Sequence, residues 1–443
     1  MKHFATSVSM TSAIVALVLG ANPAASASTG PCDIYQAGGT PCVAAHSTVR
    51  ALYGAYSGNL YQVKKASGAT KDIGVLTAGG VVKSATQDSF CTGTTCTISK
   101  IYDQSGKGNV LTSAPGGGAA AAADKEVVAT KSKFNIDGHS AYAAYFEGGM
   151  GYRNNKTSGI ATGDNPESMY MVTSGTHFNG ACCFDYGNAE TTNNDDGAGT
   201  MEAIYFGNCT WWGGGAGTTG PWVMADQENG LFAGNVTKQY TPNTAVPYPY
   251  VTAMIKGKPA QWAIKAGNAT TGTLKTMFEG TRPPGTDGKY AWNPMRKQGA
   301  IILGIGGDNS NGAIGTFYEG VMTTGYSSNA TDSAVQVNIV AAGYGSATTG
   351  ISDRSVGRQA ATLRFDPSTS TASVGFTLGT AQHVRVRVLD MKGREIARLL
   401  DGNVSAGLHQ AVWIARSVNP GIYAVALDAE GAGGWSANFV VAR

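Results

Sequence analysis

Charge is scarce in this sequence. Asp, Glu, Lys and Arg make up only 14% of its 443 residues, and the formal net charge is +3. A basic surface for nucleic acid or another polyanion is therefore not expected. Long apolar runs are also missing beyond the first residues, so no membrane-spanning helix is predicted in the rest of the chain. The six histidines are scattered and no C-x-x-C occurs, which argues against a zinc site; neither a metal nor a cofactor is expected. The Gly-rich stretches lack a following G-K-[ST], so they do not read as phosphate loops. No G-x-S-x-G elbow appears with a matching acid and histidine order, which removes the usual serine hydrolase arrangement. Helical periodicity is rare, with Ser333–Ala342 the one convincing stretch.

What the chain has is glycine, aromatics and short apolar runs. There are 62 Gly, 19 Tyr and 7 Trp, and 42% of residues are hydrophobic. Runs such as Met169–Val172, Ala300–Leu303 and Val321–Met322 stand between turn signals, the rhythm of an all-β sandwich. The segment Pro115–Gly118 and the alanines after it read as a surface loop. Residues 1–27 combine Lys2, the apolar run Ile14–Leu19 and the small residues Ala25–Ser26–Ala27, a secretory signal peptide. Export to the cell exterior implies an oxidising compartment, in which cysteines form disulfides.

There are seven: Cys32, Cys42, Cys91, Cys96, Cys182, Cys183 and Cys209. Close spacing favours local pairs, Cys32 with Cys42 and Cys91 with Cys96. The adjacent Cys182 and Cys183 either take different partners, with Cys209 as one of them, or bond to each other. Residues 346–357 are small and polar, a linker, and the texture changes beyond it. Cysteine disappears, and residues 351–443 hold ten Lys or Arg against seven Asp or Glu. Strict alternation in His383–Leu389 and Ile422–Leu427 predicts a second, small antiparallel domain over 358–443. The low charge makes a monomer the default.

A secreted, nearly neutral, aromatic-rich sandwich suits carbohydrate, with aromatic faces for sugar rings and polar groups for hydroxyls. Cofactor-free cleavage of a glycoside needs two carboxyl groups. Two stretches offer them. In Pro221–Gly230, a strand would place Asp226 and Glu228 on one face, with Asn229 and Gly230 turning at its end; the plainer reading is a solvated strand face. In Ala300–Ser310, an apolar strand runs into Gly306 and Gly307 and then Asp308; the plainer reading is an Asx-turn. Trp211–Trp212 adds an aromatic pair, while Asp103 and Glu202 read as structural.

The strings TPCVAAHSTVRALY (40–53), KIYDQSGKGNVLT (100–112), GACCFDYGNAET (180–191), PWVMADQENGLF (221–232) and GAIILGIGGDNSNGAIGTFYEGVMT (299–323) carry a resemblance. Over 30–345 the chain resembles the catalytic domain of glycoside hydrolase family 54, the secreted α-L-arabinofuranosidases. The resemblance implies a concanavalin-like β-sandwich and a retaining, exo-acting mechanism on arabinan or arabinoxylan side chains. It further implies Glu228 as nucleophile and Asp308 as acid/base, with Asp226, Asn229 and Gly307 binding the sugar hydroxyls. Trp212 and a vicinal Cys182–Cys183 disulfide would form pocket walls, with Cys32–Cys42 and Cys91–Cys96 as the other bridges and Cys209 a lone thiol. Gln227 stands where relatives carry a larger apolar residue. The fungal members continue into a β-trefoil arabinose-binding module, which this chain lacks. Its tail, with VRVRVLDMKGREIARLLDGNVSAGLH (384–409) and NPGIYAVALDAEG (419–431), resembles the immunoglobulin-like C-terminal domains of bacterial proteins exported by type IX secretion. Such a tail implies surface display or release. The competing readings are a glycosidase of altered sugar specificity and a non-catalytic carbohydrate-binding surface protein.

Overall fold

The structure, a computed structural model, describes residues 29–346 other than 218 and 237, and 361–441 other than 367–370, 379–380, 391–392, 406, 416–417 and 430–432. The expected leader and the expected linker beyond Ser346 lie outside the described residues. The chain divides after Thr349 into two compact units, each with its own apolar core.

Two large antiparallel sheets make up the first unit. Ten strands form one, in the order Leu231–Phe232, Trp222–Asp226, Glu202–Gly207, Asp185–Ala189, Ala300–Leu303, Tyr152–Asn154, Leu111–Ser113, Cys96–Ile101, Asn59–Lys65 and Thr70–Gly74. The other has eight, centred on Val251–Lys258, Glu167–Thr173 and Gly315–Thr324. The expected apolar runs all fall within these strands.

Alternation along the ten-stranded sheet separates its two faces. Tyr186, Ile204, Val223, Ala225, Ile301 and Leu303 join the main core, together with Met169 and Phe317 of the other sheet. Their neighbours Tyr205, Trp222 and Met224 belong to a separate cluster, and Ala203, Ala300 and Ile302 to another. The register pairs Asp185 with Tyr205, and Tyr205 with Met224. Asp185, Met224 and Asp226 therefore share the face that points away from the main core. That face carries the candidate site.

Helix is a little more extensive than expected. The predicted Ser333–Ala342 segment is a helix over Asn329–Ala341, starting one turn earlier because the Ser328 hydroxyl accepts the Thr331 N–H at 3.1 Å. Two short helices, Pro31–Ala37 and Ser84–Phe90, had no periodicity to betray them. Cys32–Cys42 joins the first of these to the Cys42–Ser47 strand, and Cys91–Cys96 bridges from the end of the second into the Cys96–Ile101 strand.

Among the described residues the second unit has seven strands in two sheets. One contains Ala361–Asp366, Thr371–Leu378 and Gly407–Ile414; the other runs Glu395–Val404, Gln382–Asp390, Gly421–Ala429 and Gly433–Val441. This distribution of consecutive strands is that of an immunoglobulin-like sandwich. The alternation read in the sequence is real: Val384, Val386 and Val388 are buried with Val425 and Leu427, while Arg385 faces solvent.

Candidate active site

Three chain turns meet on the outer face of the ten-stranded sheet. The first precedes the Asp185–Ala189 strand and contains Cys182 and Cys183, which are bonded to each other. The second follows Asp226, and the third follows Leu303. Gly304, at φ +81°, reverses the third. It then folds back so far that a Cβ on Gly307 would collide with Glu190 and crowd Met201. Any side chain there would have to displace both.

Asp226 and Glu228 do not share a strand face. The strand ends at Asp226, and Glu228 and Asn229 take φ values of +58° and +55°. A left-handed turn, not pleating, sets their geometry. The turn is pinned at every residue: Glu228 N–H donates to Asp226 Oδ1 (3.1 Å), Gly199 N–H to the Gln227 carbonyl (2.7 Å) and Trp292 Nε1–H to the Glu228 carbonyl (2.8 Å). The Asn229 amide donates to Asp195 (3.1 Å) and Asp287 (3.2 Å). Beside it opens a cleft of about 560 Å³ lined in part by Tyr290 and Arg296, whose guanidinium lies 3.6 Å from the Tyr290 ring centre.

Asp308 does form an Asx-turn, accepting the Ser310 N–H at 2.9 Å. That plainer reading and an active-site position are compatible. The Gly-Ala segment expected to be only a surface loop has a further task, because Ala119 N–H donates to the Asp308 carbonyl (2.9 Å) and Asn309 donates to Ala120 (3.2 Å). It braces the turn that carries the acid.

The vicinal disulfide forms one wall. Cys183 Sγ lies 3.3 Å from Asp226 Oδ2, and the Ser310 hydroxyl points to Cys182 Sγ at 3.4 Å. The two sulfurs and an Asp226 oxygen lie within 4.8 Å of one another; joined to each other, the sulfurs present an apolar surface instead of metal-binding thiolates. Trp212 packs against the same cluster, and Trp211 beside it is exposed. Cys209 is buried and unbonded.

Two carboxyl groups missed in the sequence complete the site. Asp185 and Glu190 sit at the two ends of the Asp185–Ala189 strand, both fully buried. Asp185 lies against Asp226, and Glu190 against Glu228. Burial, followed by the charges of Glu190 and Asp226, pushes the Glu228 carboxyl up to about 12. Burial raises Asp226 to about 7, with Glu190 and Asp308 adding to the shift and the Asp185 hydrogen bond opposing it. Arg153 is a cation that faces this group. Burial lowers it to about 10 against the pull of Glu190, Asp308 and Glu228. Its guanidinium donates to the backbone carbonyls of Gly307 (2.7 Å) and Glu190. Alternation alone placed Asp185 outward; nothing local marked Glu190, which stands one residue beyond the strand.

A cluster of buried carboxyl groups on the outer face of one sheet of a β-sandwich is thus the class of site present. The family described as "Alpha-L-arabinofuranosidase B, catalytic" matches residues 31–345, and the chain belongs to it. The chain is 60% identical over 320 residues to the "Probable alpha-L-arabinofuranosidase B" of Aspergillus terreus, covering 71% of this chain and 62% of that protein. It is 57% identical over 320 residues to the "Arabinofuranosidase/B-xylosidase" of Trichoderma koningii, covering 71% and 63%. The chain thus spans less than two thirds of the length of these relatives. A solved arabinofuranosidase complexed with arabinofuranosyl-α-1,2-xylobiose is 48% identical, with a TM-score of 0.69 over 83% of this chain and 76% of that one. A family 54 α-L-arabinofuranosidase soaked with a cyclic sulfate inhibitor gives 49% and 0.69, over 80% and 73%.

Proposed function

We propose that the protein is a retaining exo-α-L-arabinofuranosidase that removes terminal arabinofuranose from plant cell-wall polysaccharides. The observation that carries this reading is that turns at the ends of strands on one sheet face carry Asp226, Glu228, Asn229, Gly307 and Asp308, with Asp226 Oδ2 3.3 Å from the Cys183 sulfur of the vicinal disulfide. Glu228 attacks the anomeric carbon while Asp308 protonates the departing oxygen. Asp308 then deprotonates the water that releases the sugar from Glu228. Asp226, Asn229 and the Gly307 backbone hold the arabinose hydroxyls, and Trp212 with the disulfide shapes the apolar side of the pocket. Export through the leader at 1–27, with the tail as a sorting or accessory domain, places the enzyme outside the cell.

The test is release of 4-nitrophenol from its α-L-arabinofuranoside, with the β-D-xyloside as the control. A rate on the xyloside equal to or above that on the arabinofuranoside favours the altered-specificity reading, which the dual name of the Trichoderma koningii relative makes worth testing. Binding of arabinoxylan without hydrolysis of either glycoside favours a non-catalytic protein. No helix among the described residues is long and apolar enough to cross a membrane.

A further inference from the structure

The chemistry proposed above gives no task to Arg153, and its geometry supplies one. The residue is buried in the Tyr152–Asn154 strand, opposite Ile302 of the Ala300–Leu303 strand. Paired residues share a sheet face, and Ile302 packs on the face that carries the site. The guanidinium reaches past the Ala300–Leu303 strand to the end of the Asp185–Ala189 strand beyond it, two strand spacings or roughly 10 Å. Each nitrogen of its fork has a partner. Nε–H donates to Asn155 Oδ1 (2.6 Å), Nη1–H to the Gly307 carbonyl (2.7 Å) and Nη2–H to the Glu190 carbonyl. Asn155 in turn donates to Asn193 (2.6 Å), in the loop that follows Glu190.

All three acceptors are neutral, so the charge of Arg153 is not tied to a carboxylate as those of Arg282 and Lys297 are. We propose that Arg153 is a positioning residue for the reaction. Its fork locks the turn carrying Gly307 and Asp308 to the strand end carrying Glu190, and its charge offsets whichever of Glu228 and Asp308 is ionised. The proposal rests on the glycosidase reading with Glu228 as nucleophile and Asp308 as acid/base. In the first step the glycosidic C–O bond breaks, the bond from Glu228 to the anomeric carbon forms, and the Asp308 proton passes to the leaving oxygen. The negative charge has then moved from Glu228 to Asp308. In the second step water bonds to that carbon, its proton goes to Asp308, and Glu228 leaves as a carboxylate. The charge has returned. A fixed cation facing both groups offsets it at each stage, where a buried carboxylate alone would carry a desolvation cost.

Acids face Arg153 from three elements: Glu190 at its strand end, Asp308 in the third turn and Glu228 in the second. Its cross-strand partners Ile302 and Thr112 are uncharged. Glu228 is itself faced by Glu190, Asp226 and Asp195. Among so many like charges, loss of the cation makes ionisation of a carboxyl harder. Lysine cannot reproduce the arrangement, because its ammonium is a point charge without a planar fork.

Arg153→Lys keeps the charge and loses the fork; Arg153→Gln keeps amide donors and loses the charge. Both are assayed across pH on 4-nitrophenyl α-L-arabinofuranoside and on arabinofuranosyl-α-1,2-xylobiose. In Arg153→Lys the Asp308 turn is no longer locked, and the xylobiose, a poor leaving group, needs its acid. There kcat/KM should fall about 10²-fold, against less than about 10-fold on the aryl glycoside, with the acid limb unmoved. In Arg153→Gln the acid limb of kcat/KM should move up by about one unit or more on either substrate. Equal losses on the two substrates in folded Arg153→Lys, or an unmoved acid limb in folded Arg153→Gln, would overturn the proposal. Should Arg153→Gln not fold, the substrate split in Arg153→Lys decides alone. If neither variant folds, Arg153 is a support of the scaffold and the proposal is also overturned. Failure of the underlying reading looks different. In that case the unaltered protein releases no 4-nitrophenol, or a trapped glycosyl-enzyme maps to a residue other than Glu228.

Discussion

The first unit buries carboxylates in two ways, and the contrast separates scaffold from site. Away from the three turns, buried acids meet cations. Glu202 binds Arg282 (2.6 Å) and Lys297 (3.1 Å), Lys297 also reaches Glu167 (3.0 Å), and Asp332 ties the Asn329–Ala341 helix to Lys256 (2.7 Å) and Lys265 (2.6 Å). Burial alone would raise Glu202, but Arg282 and Lys297 outweigh it and hold the carboxyl at about 2. Glu167, which shares Lys297 with Glu202, is raised by burial to about 7. In the site, acids meet acids instead, and burial beside like charges raises the Asp226 and Glu228 carboxyls. Carboxyl groups raised in this way are the ones suited to taking up and giving back protons.

The comparison breaks most sharply at Glu228. Replacing it with Ala removes the atom that forms the covalent intermediate, and a loss of roughly 10⁴–10⁶-fold on the aryl arabinofuranoside is expected. Azide rescue should then give the product of direct, inverting attack; a smaller loss with no change in stereochemistry would return Glu228 to the scaffold. For Asp308→Ala the expected loss on natural linkages is about 10²–10⁴-fold. It should be much smaller in the first step with a 4-nitrophenyl leaving group, and azide should restore turnover with retention. Equal losses on both substrates would remove Asp308 from the acid/base role.

Glu202→Ala tests the other side of the contrast. It strands Arg282 and leaves Lys297 with Glu167 alone, and a loss of about 3–5 kcal/mol in unfolding free energy is expected from denaturant titration, with kcat retained in the folded fraction. The pH dependence has a definite sign. Because the folded-state carboxyl is depressed from 4.5 to about 2, its stabilisation is present above pH 4.5 and is lost as pH falls towards 2. Asp226 has the opposite sign. Its carboxyl is raised from 3.8 to about 7, so its contribution is present below pH 3.8 and is lost as pH rises through 7. Asp226→Asn should therefore be the more stable protein at pH 8, by at most about 4 kcal/mol, while losing activity. Thermal unfolding of the two proteins at pH 5 and pH 8 measures this, and an equal midpoint difference at both values would show that Asp226 is not destabilised by its charge. The smallest effect belongs to the second unit: ending the chain near Ser346 should leave kcat on the aryl substrate unchanged within about 2-fold. A folded but inactive product would join the tail to the catalytic unit.

Much of this protein was decided locally. Period-two alternation in segments such as His383–Leu389, and apolar runs such as Ala300–Leu303, determined that strands form, because a strand must bury one or both faces. The adjacency of Cys182 and Cys183 allowed a bridge that only the fold made part of a wall. The sequence also placed Asp226, Glu228 and Asp308 at strand ends. It misjudged how Asp226 and Glu228 face each other, since two left-handed residues replace the pleat there. It was silent on Asp185 and Glu190, whose neighbours Asp226 and Glu228 lie about forty positions away along the chain. A carboxyl group acquires its charge state from what surrounds it, and those surroundings are assembled from strands remote in sequence. Which acids meet cations and which meet other acids was therefore decided by tertiary structure alone.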